Sequence, residues 1–310
     1  MNATATKITF DQIPENGQQM TALKAIIDWY LNDSAQEFYL AGYAGVGKTT
    51  LAGIAVAELA ERVKGDFKAL YAAYTGKAAY VLSTKTGETA STVHQLIYTI
   101  EERGDSISFV LNPNSPLHHA RLLVIDEISN INEAMAADLR SFGVKILVLG
   151  DPGQLPPVEG IPAFTNRKPD FFLTEIHRQA KDSPIIRLAT LARENRPIPF
   201  GDYGHGTTKI RRDREATPLV ASNETQILCG LNRIRWSVTK WRRSLRGFTT
   251  SQPMAGERLL CCRNRHSTGL FNGSAGTAEQ ILRDEESGGY VIDFRDSHGI
   301  LHSGLKTPPH

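Results

Sequence analysis

Residues Gly42-Tyr43-Ala44-Gly45-Val46-Gly47-Lys48-Thr49 have the composition and spacing of a complete phosphate-binding loop. Gly42, Gly45 and Gly47 let the backbone curl until its N–H groups point at phosphate oxygens. Lys48 can reach the β- and γ-phosphates, and the Thr49 hydroxyl suits Mg²⁺. Downstream, Val124-Ile125-Asp126-Glu127 delivers two carboxylates at the end of an apolar run. There Asp126 would hold Mg²⁺ through water and Glu127 would orient or deprotonate an attacking water. A third polar group, Gln154, stands in Leu149-Gly150-Asp151-Pro152-Gly153-Gln154-Leu155-Pro156-Pro157-Val158. Its amide can bond both a phosphate oxygen and that water. Taken singly, these strings also fit a Gly-rich turn, strand-terminal acids and a Pro-stiffened turn. Together they point to binding and hydrolysis of a nucleoside triphosphate with Mg²⁺.

Such chemistry needs a strand before the loop and a helix after it. Phe38–Ala41 is an apolar run suited to a buried strand, and Thr50–Val56 opens a helix whose N-terminus adds positive partial charge. Strand-like and helical runs then alternate: strands at 69–74, 122–125 and 145–149, and helices at 76–82 and 133–142. A helix at 17–31 precedes them, with Leu23, Ile26, Ile27 and Tyr30 at helical spacing. Strands that are apolar throughout predict a parallel sheet covered by helices, with the carboxylates at its C-terminal edge. Residues 84–119 interrupt the rhythm and read as an insertion. Beyond residue 171 the pattern predicts a helix at 183–194, a strand at 226–229 and a basic helix at 233–246. Short β runs follow at 258–262, 276–281 and 289–294, with turns at Asn272-Gly273 and 287–289.

The chain has 310 residues, 41% apolar and 22% charged, ordinary values for a globular protein of two domains. Cys229, Cys261 and Cys262 are too few and too poorly spaced for a disulfide framework or a zinc site, and they suit a reducing compartment. No basic-then-apolar leader opens the sequence, and no apolar run approaches a membrane span. The net charge of +2 hides an asymmetry: between His205 and Gly247, ten Lys or Arg face only Asp213, Glu215 and Glu224. That stretch suits a polyanion or, alternatively, a solvated helix face. Trp236 and Trp241, set among the arginines, suit either stacking on bases or anchoring the helix.

These strings resemble the motifs of superfamily 1 DNA helicases, in the RecD-like branch that includes the Dda-like enzymes. Gly42–Thr49 is similar to motif I and Asp126-Glu127 to motif II. The run from Gly150 to Pro157 is similar to motif III and is the most family-specific string. Tyr74–Ala79 resembles motif Ia, Ser91–His94 motif Ib and Thr174–Gln179 motif IV. Gly256–Asn264, with Gly269–Gly273 and Gly276-Thr277, resembles the start of an SH3-like insertion. The fold implied is α/β: a P-loop NTPase with a RecA-like parallel sheet, a partial second RecA-like domain and a small SH3-like β insertion. The corresponding boundaries are 1–170, with an inserted segment at about 84–119, then 171–255 and 256–310.

The resemblance assigns further roles. Gln19, Gly42, Gly45, Val46, Gly47, Lys48, Thr49 and Thr50 would hold ATP, with Thr49 and Asp126 holding Mg²⁺. Lys48, Asp126, Glu127, Gln154 and Arg178 would form the catalytic set, Arg178 placing a cation on the γ-phosphate. The family glutamine that pairs with adenine N6 and N7 has two candidates here, Gln18 and Gln19, of which spacing favours Gln19. Thr75, Lys77, Thr92 and His94 would bond backbone phosphates of single-stranded DNA. Thr75 as a helix cap and His94 as a packed core histidine are the plainer readings. The activity implied is ATP-dependent 5′-to-3′ movement on single-stranded DNA by a monomer, without membrane association, in the cytoplasm of a bacterial or phage-infected cell.

One departure stands out. The family continues beyond its β insertion into a Ser/Thr-rich stretch ending in Gln-Gly and an Ala-Leu-Thr-Arg-like string, and neither occurs in residues 281–310. Truncation before motifs V and VI is the expectation, with ATP binding retained, hydrolysis weak and unwinding lost. Alternatively, a second chain supplies the rest, or the tail is a divergent ending. The alternative to a motor is therefore an ATP- and DNA-binding remnant. A loader-type ATPase is disfavoured by the Gln-Leu-Pro-Pro string.

Overall fold

The computed structural model describes residues 10, 13–15, 17–103, 106–157, 160–164, 167–175, 183–211, 226–248, 250, 252–262, 268, 270, 274–297 and 299–307. They divide into two compact units, Met1–Asp182 and Ser183–His310.

The first unit is a parallel sheet between two helical layers. Its strands are β1 (Glu37–Gly42), β2 (Ala69–Ala73), β3 (Ala90–Thr92), β6 (Leu122–Asp126), β7 (Lys145–Gly150) and β8 (Phe171–Leu173), ordered β3-β2-β6-β7-β1-β8. Every neighbouring pair is parallel. Alternate strand residues serve opposite cores. Leu40, Leu122, Val124, Leu147 and Leu149 pack with α1 (Gln18–Asn32), α2 (Lys48–Arg62) and α3 (Gly76–Thr86). Tyr39, Ala41, Leu123, Ile125, Ile146 and Val148 pack on the other face with α4 (Val93–Ile97) and α5 (Glu133–Ser141). Leu122 to Ile125 have no exposed surface, and each such side chain contributes about 1.5–3 kcal/mol. Burial on both faces explains why these strands read as unbroken apolar runs.

Helix boundaries follow local chemistry. Thr75 caps α3 by accepting a hydrogen bond from Ala78 N, and Gly87, at φ 75°, ends it in the left-handed region that glycine tolerates. Asn132 caps α5 in the same way through Met135 N. The helix α2 differs. Its N-cap is Gly47, no side chain caps it, and no acid lies in its first turn, so its leading amides remain open.

The interruption is narrower than residues 84–119. Thr84–Thr86 complete α3, and Ala90–Thr92 is an edge strand of the main sheet. The inserted part is chiefly a separate antiparallel hairpin, β4 (Tyr98–Arg103) and β5 (Ser106–Leu111). The boundary at 170/171 is also corrected. Phe171–Leu173 pairs with Leu40–Gly42 and closes the first sheet. A three-residue strand carries too short a pattern for this to be read from sequence.

The second unit holds α6 (Pro184–Arg193), a small hairpin of β9 (Gly201–Asp202) and β10 (Thr208–Lys209), and α7 (Asn232–Leu245). It also holds an antiparallel sheet in chain order, β11 (Arg258–Leu260), β12 (Ala275–Arg283), β13 (Tyr290–Asp296) and β14 (Leu301–Thr307). Leu270, Ala278, Ile292 and Phe294 form its core. Arg243 Nε and Nη2 donate to Glu257 at 2.6 and 3.2 Å, joining α7 to the turn before β11. The strand expected at 226–229 is absent; Leu228 is 86% exposed, and no strand among the described residues accepts that backbone. No parallel strand pair occurs among the described residues of this unit, whose strands there form the small hairpin and the β module. Asn272-Gly273 lies outside the described residues.

Candidate nucleotide site

The C-terminal ends of β1, β6 and β7 bring the phosphate loop, the carboxylates and Gln154 to one edge. Strand β7 separates β1 from β6, so the turn after Gly150 lies between the phosphate loop and the carboxylates. A cleft of about 1900 Å³ is lined by Gly47, Lys48, Thr49, Asp126, Glu127 and Gln154, among others.

The loop is shaped by close packing. A Cβ on Gly42 would sit 2.8 Å from Leu173 O and 2.9 Å from Val46 Cγ2, so the β1 terminus admits only glycine. Gly45 and Gly47 adopt φ of 82° and 87°, left-handed values that carry the chain into α2. Val46 is fully buried and roots the loop in the core. Lys48 Nζ donates to Gly42 O at 2.7 Å and Tyr43 O at 3.0 Å, so the ammonium is held against the loop's own carbonyls. Burial pushes its pKa down; Asp151, Asp126 and Glu127 oppose this and Lys85 adds to it. Thr50, in the first turn of α2, is exposed and lines the cleft.

Thr49 Oγ1 donates to Asp126 Oδ2 at 2.8 Å, which places the two expected Mg²⁺-side groups together. One hydroxyl and one carboxylate suit Mg²⁺, which keeps several waters and takes phosphate oxygens for the rest. Glu127 N donates to Asp126 Oδ1 at 2.9 Å. Glu127 itself has φ 58° and ψ 50°, a left-handed conformation uncommon for a residue with a Cβ, and its side chain is exposed to the cleft. Backbone strain of this kind concentrates where a side chain must be aimed.

Asp151, to which the sequence motifs assign no role, is 4% exposed at the end of β7. Its Oδ1 accepts from Gly153 N at 2.9 Å, and its carbonyl accepts from Gln154 N at 3.1 Å, folding the turn that presents Gln154. Its carboxylate also raises the Lys48 pKa against burial and contributes to the Tyr39 pKa of about 12, whose main cause is burial. The signal was present in Gly150-Asp151 at a strand's C-terminal end. Gly150 itself is fixed by Ile128: a Cβ there would lie 2.5 Å from Ile128 Cγ1.

The two glutamines have separate tasks. Gln19 Nε2 donates to Val46 O at 2.9 Å, beside the phosphate loop. Gln18 instead binds the chain leaving β8: Nε2 donates to Phe172 O at 3.1 Å and Thr174 Oγ1 at 3.2 Å. Its Oε1 accepts from Thr174 N at 2.7 Å and Glu175 N at 3.0 Å. Arg178 lies outside the described residues.

The expected DNA contacts fall into two groups. Thr75 and Lys77 are exposed at the start of α3 and line the same cleft; the Thr75 oxygen caps the helix, and its O–H can still donate. Thr92 has a different task from the one expected of it. It is 5% exposed, and its hydroxyl exchanges hydrogen bonds with Gln95 in a capping box that opens α4. His94 is half-buried, 5.6 Å from the Tyr74 ring and 5.8 Å from the Tyr98 ring, and burial lowers its pKa. The Ser-Thr-Val-His string is thus satisfied locally by a cap and an aromatic cluster.

The whole of this site falls within residues 15–205, which match a family described as an AAA domain. The chain belongs to the AAA-domain family. The AAA-domain chain is 30% identical over 278 residues to the ATP-dependent RecD2 DNA helicase of Deinococcus radiodurans, covering 82% of this chain and 37% of that protein. It is 30% identical over 206 residues to the ATP-dependent DNA helicase dda of Enterobacteria phage T4, covering 61% of this chain and 44% of that protein. The chain therefore spans less than half the length of these curated relatives. A solved Pif1 helicase structure, determined for DNA unwinding at forked duplexes, superposes with a TM-score of 0.54 at 19% identity. It covers 93% of this chain and 75% of that one, a likeness of fold. Among the described residues, no helix is long and apolar enough to cross a membrane.

Proposed function

We propose that this chain couples ATP hydrolysis to 5′-to-3′ movement along single-stranded DNA, as a cytoplasmic helicase or translocase in repair, recombination or phage replication. The observation that carries the reading is the Thr49–Asp126 hydrogen bond of 2.8 Å beside Lys48, at the uncapped start of α2.

In this reading the amides at the start of α2 and Lys48 hold the phosphates. Bound Mg²⁺ would be held by Thr49 directly and Asp126 through water, and would neutralise charge on the β- and γ-phosphates. Glu127, aimed into the cleft by its left-handed backbone, orients the attacking water and takes its proton. Gln154 contacts the γ-phosphate side of that water and reports its loss through the Asp151 turn. Arg178 supplies a cation to the transition state, and Gln19, at the loop's edge, meets the base. Thr75 and Lys77 grip the DNA backbone without reading sequence, with Thr92 and His94 shaping the neighbouring surface.

Strand displacement tests the reading. Unwinding with ATP of a duplex that carries a 5′ single-stranded tail, and not of one that carries a 3′ tail, would support the motor. Unwinding of the 3′-tailed duplex would reverse the polarity. Binding of both without unwinding would leave an ATP-gated DNA-binding protein.

A further inference from the structure

The helix α7 carries Arg233, Arg235, Lys240, Arg242 and Arg243 and no acidic residue between Asn232 and Leu245. Its apolar side is Ile234, Val238, Trp241 and Leu245, spaced three or four apart; the first three are half-buried. Trp236 lies on the opposite side. At 100° per residue it falls between Arg233, Lys240 and Arg243, and it is 58% exposed. Arg235 lies over its ring, with Cζ 5.1 Å from the centroid. Arg243 is tied to Glu257, which fixes the helix against the β module. No ion pair among the described residues holds Arg233, Arg235 or Lys240.

Anchoring therefore falls to Trp241, and Trp236 has no packing task. An indole exposed within an all-cationic helix face is costly to leave in water, unless a flat, anionic partner covers it. A nucleobase supplies the flat face and its phosphates supply the charge. We infer that Trp236, with Arg233, Arg235 and Lys240, forms a stacking platform for single-stranded DNA on the second unit, separate from the contacts expected of Thr75 and Lys77. The platform rests on the reading of this chain as a single-stranded DNA translocase, and names a contact of its second unit that the nucleotide site does not require.

Trp29 is 4% exposed and Trp241 half-buried, so quenching of intrinsic fluorescence reports mainly on Trp236. The full chain is titrated with oligo(dT) without nucleotide, following tryptophan quenching and the anisotropy of a labelled strand. Wild type is expected to bind with quenching, and Trp236→Phe to bind nearly as well. Trp236→Ala is expected to weaken binding about 5- to 150-fold, the range for loss of one stacked base. Arg233→Gln with Lys240→Gln should reduce the slope of log K against log salt by about 1.4, from two lost single-strand phosphate contacts.

Equal affinity and salt slope for Trp236→Ala and wild type would overturn the platform. If Lys77→Ala then abolished binding, the translocase reading would stand without it. Failure of wild type to bind any single strand would overturn both. Tighter binding to oligo(rU) than to oligo(dT) would overturn the DNA assignment. Concentration-dependent burial of Trp236 without DNA would assign the face to a second copy and overturn it as well.

Discussion

Replacing Gln18 by Ala separates two glutamines that are adjacent in sequence and unlike in work. Gln18 accepts from two backbone amides, at 2.7 and 3.0 Å, and donates to one carbonyl at 3.1 Å. A net value of about 0.5–1.5 kcal/mol per bond gives a ceiling of about 4.5 kcal/mol for the three. Gln18 is only partly buried and Thr174 and Glu175 are exposed, so water recovers most of the loss. About 1–2 kcal/mol is the expected cost. For a unit of this size that is a fall in Tm of about 2–8 °C, read by circular dichroism on nucleotide-free protein. Gln19 donates to Val46 O at 2.9 Å, and loss of that bond should cost about 1 kcal/mol or less. Its effect should appear in affinity instead: Gln19→Ala weakens ATP binding and narrows the preference for ATP over GTP, measured with fluorescent analogues. The opposite pattern, with Gln18→Ala thermally silent and blind to the base, would refute the division of labour drawn from these distances.

Other perturbations follow from the same geometry. Gly150→Ala forces a Cβ to 2.5 Å from Ile128 Cγ1 and should cost about 1–3 kcal/mol, with Ile128→Ala in the same chain relieving part of it in denaturant melts. Asp126→Asn should weaken Mg²⁺ dependence about 10- to 100-fold in titrations of nucleotide binding against metal. His94 has a folded pKa lowered by burial, so the unfolded chain binds more protons just below its ordinary value. Stability should therefore be complete above about pH 6.5 and fall on acidification toward the folded pKa. His94→Gln should flatten that part of the Tm-versus-pH curve.

The central strands were legible because burial on both faces removes polar residues from them: β1, β6 and β7 fall within a residue or two of their apolar runs. The phosphate loop was legible because its glycines are demanded by backbone shape, as Gly42 and Gly47 show. Strand β8 was not, since three residues carry no period and its partner lies about 130 positions earlier. The roles of Gln18 and Asp151 were hidden for a related reason: each acts through backbone groups that sequence does not place. Thr92 shows the converse hazard. A motif-like threonine is spent on a capping box, a purely local device written in the same Thr-x-x-Gln letters. The tryptophans of α7 divide by helical phase, which the sequence held but which needed the helix's packed side to resolve.

The most direct test of the nucleotide site is the rate of ATP hydrolysis by the purified chain, with and without single-stranded DNA, beside Lys48→Ala prepared identically. Hydrolysis stimulated by DNA and almost wholly lost in Lys48→Ala is the predicted result. Hydrolysis that is indifferent to DNA and unchanged by Lys48→Ala would contradict it.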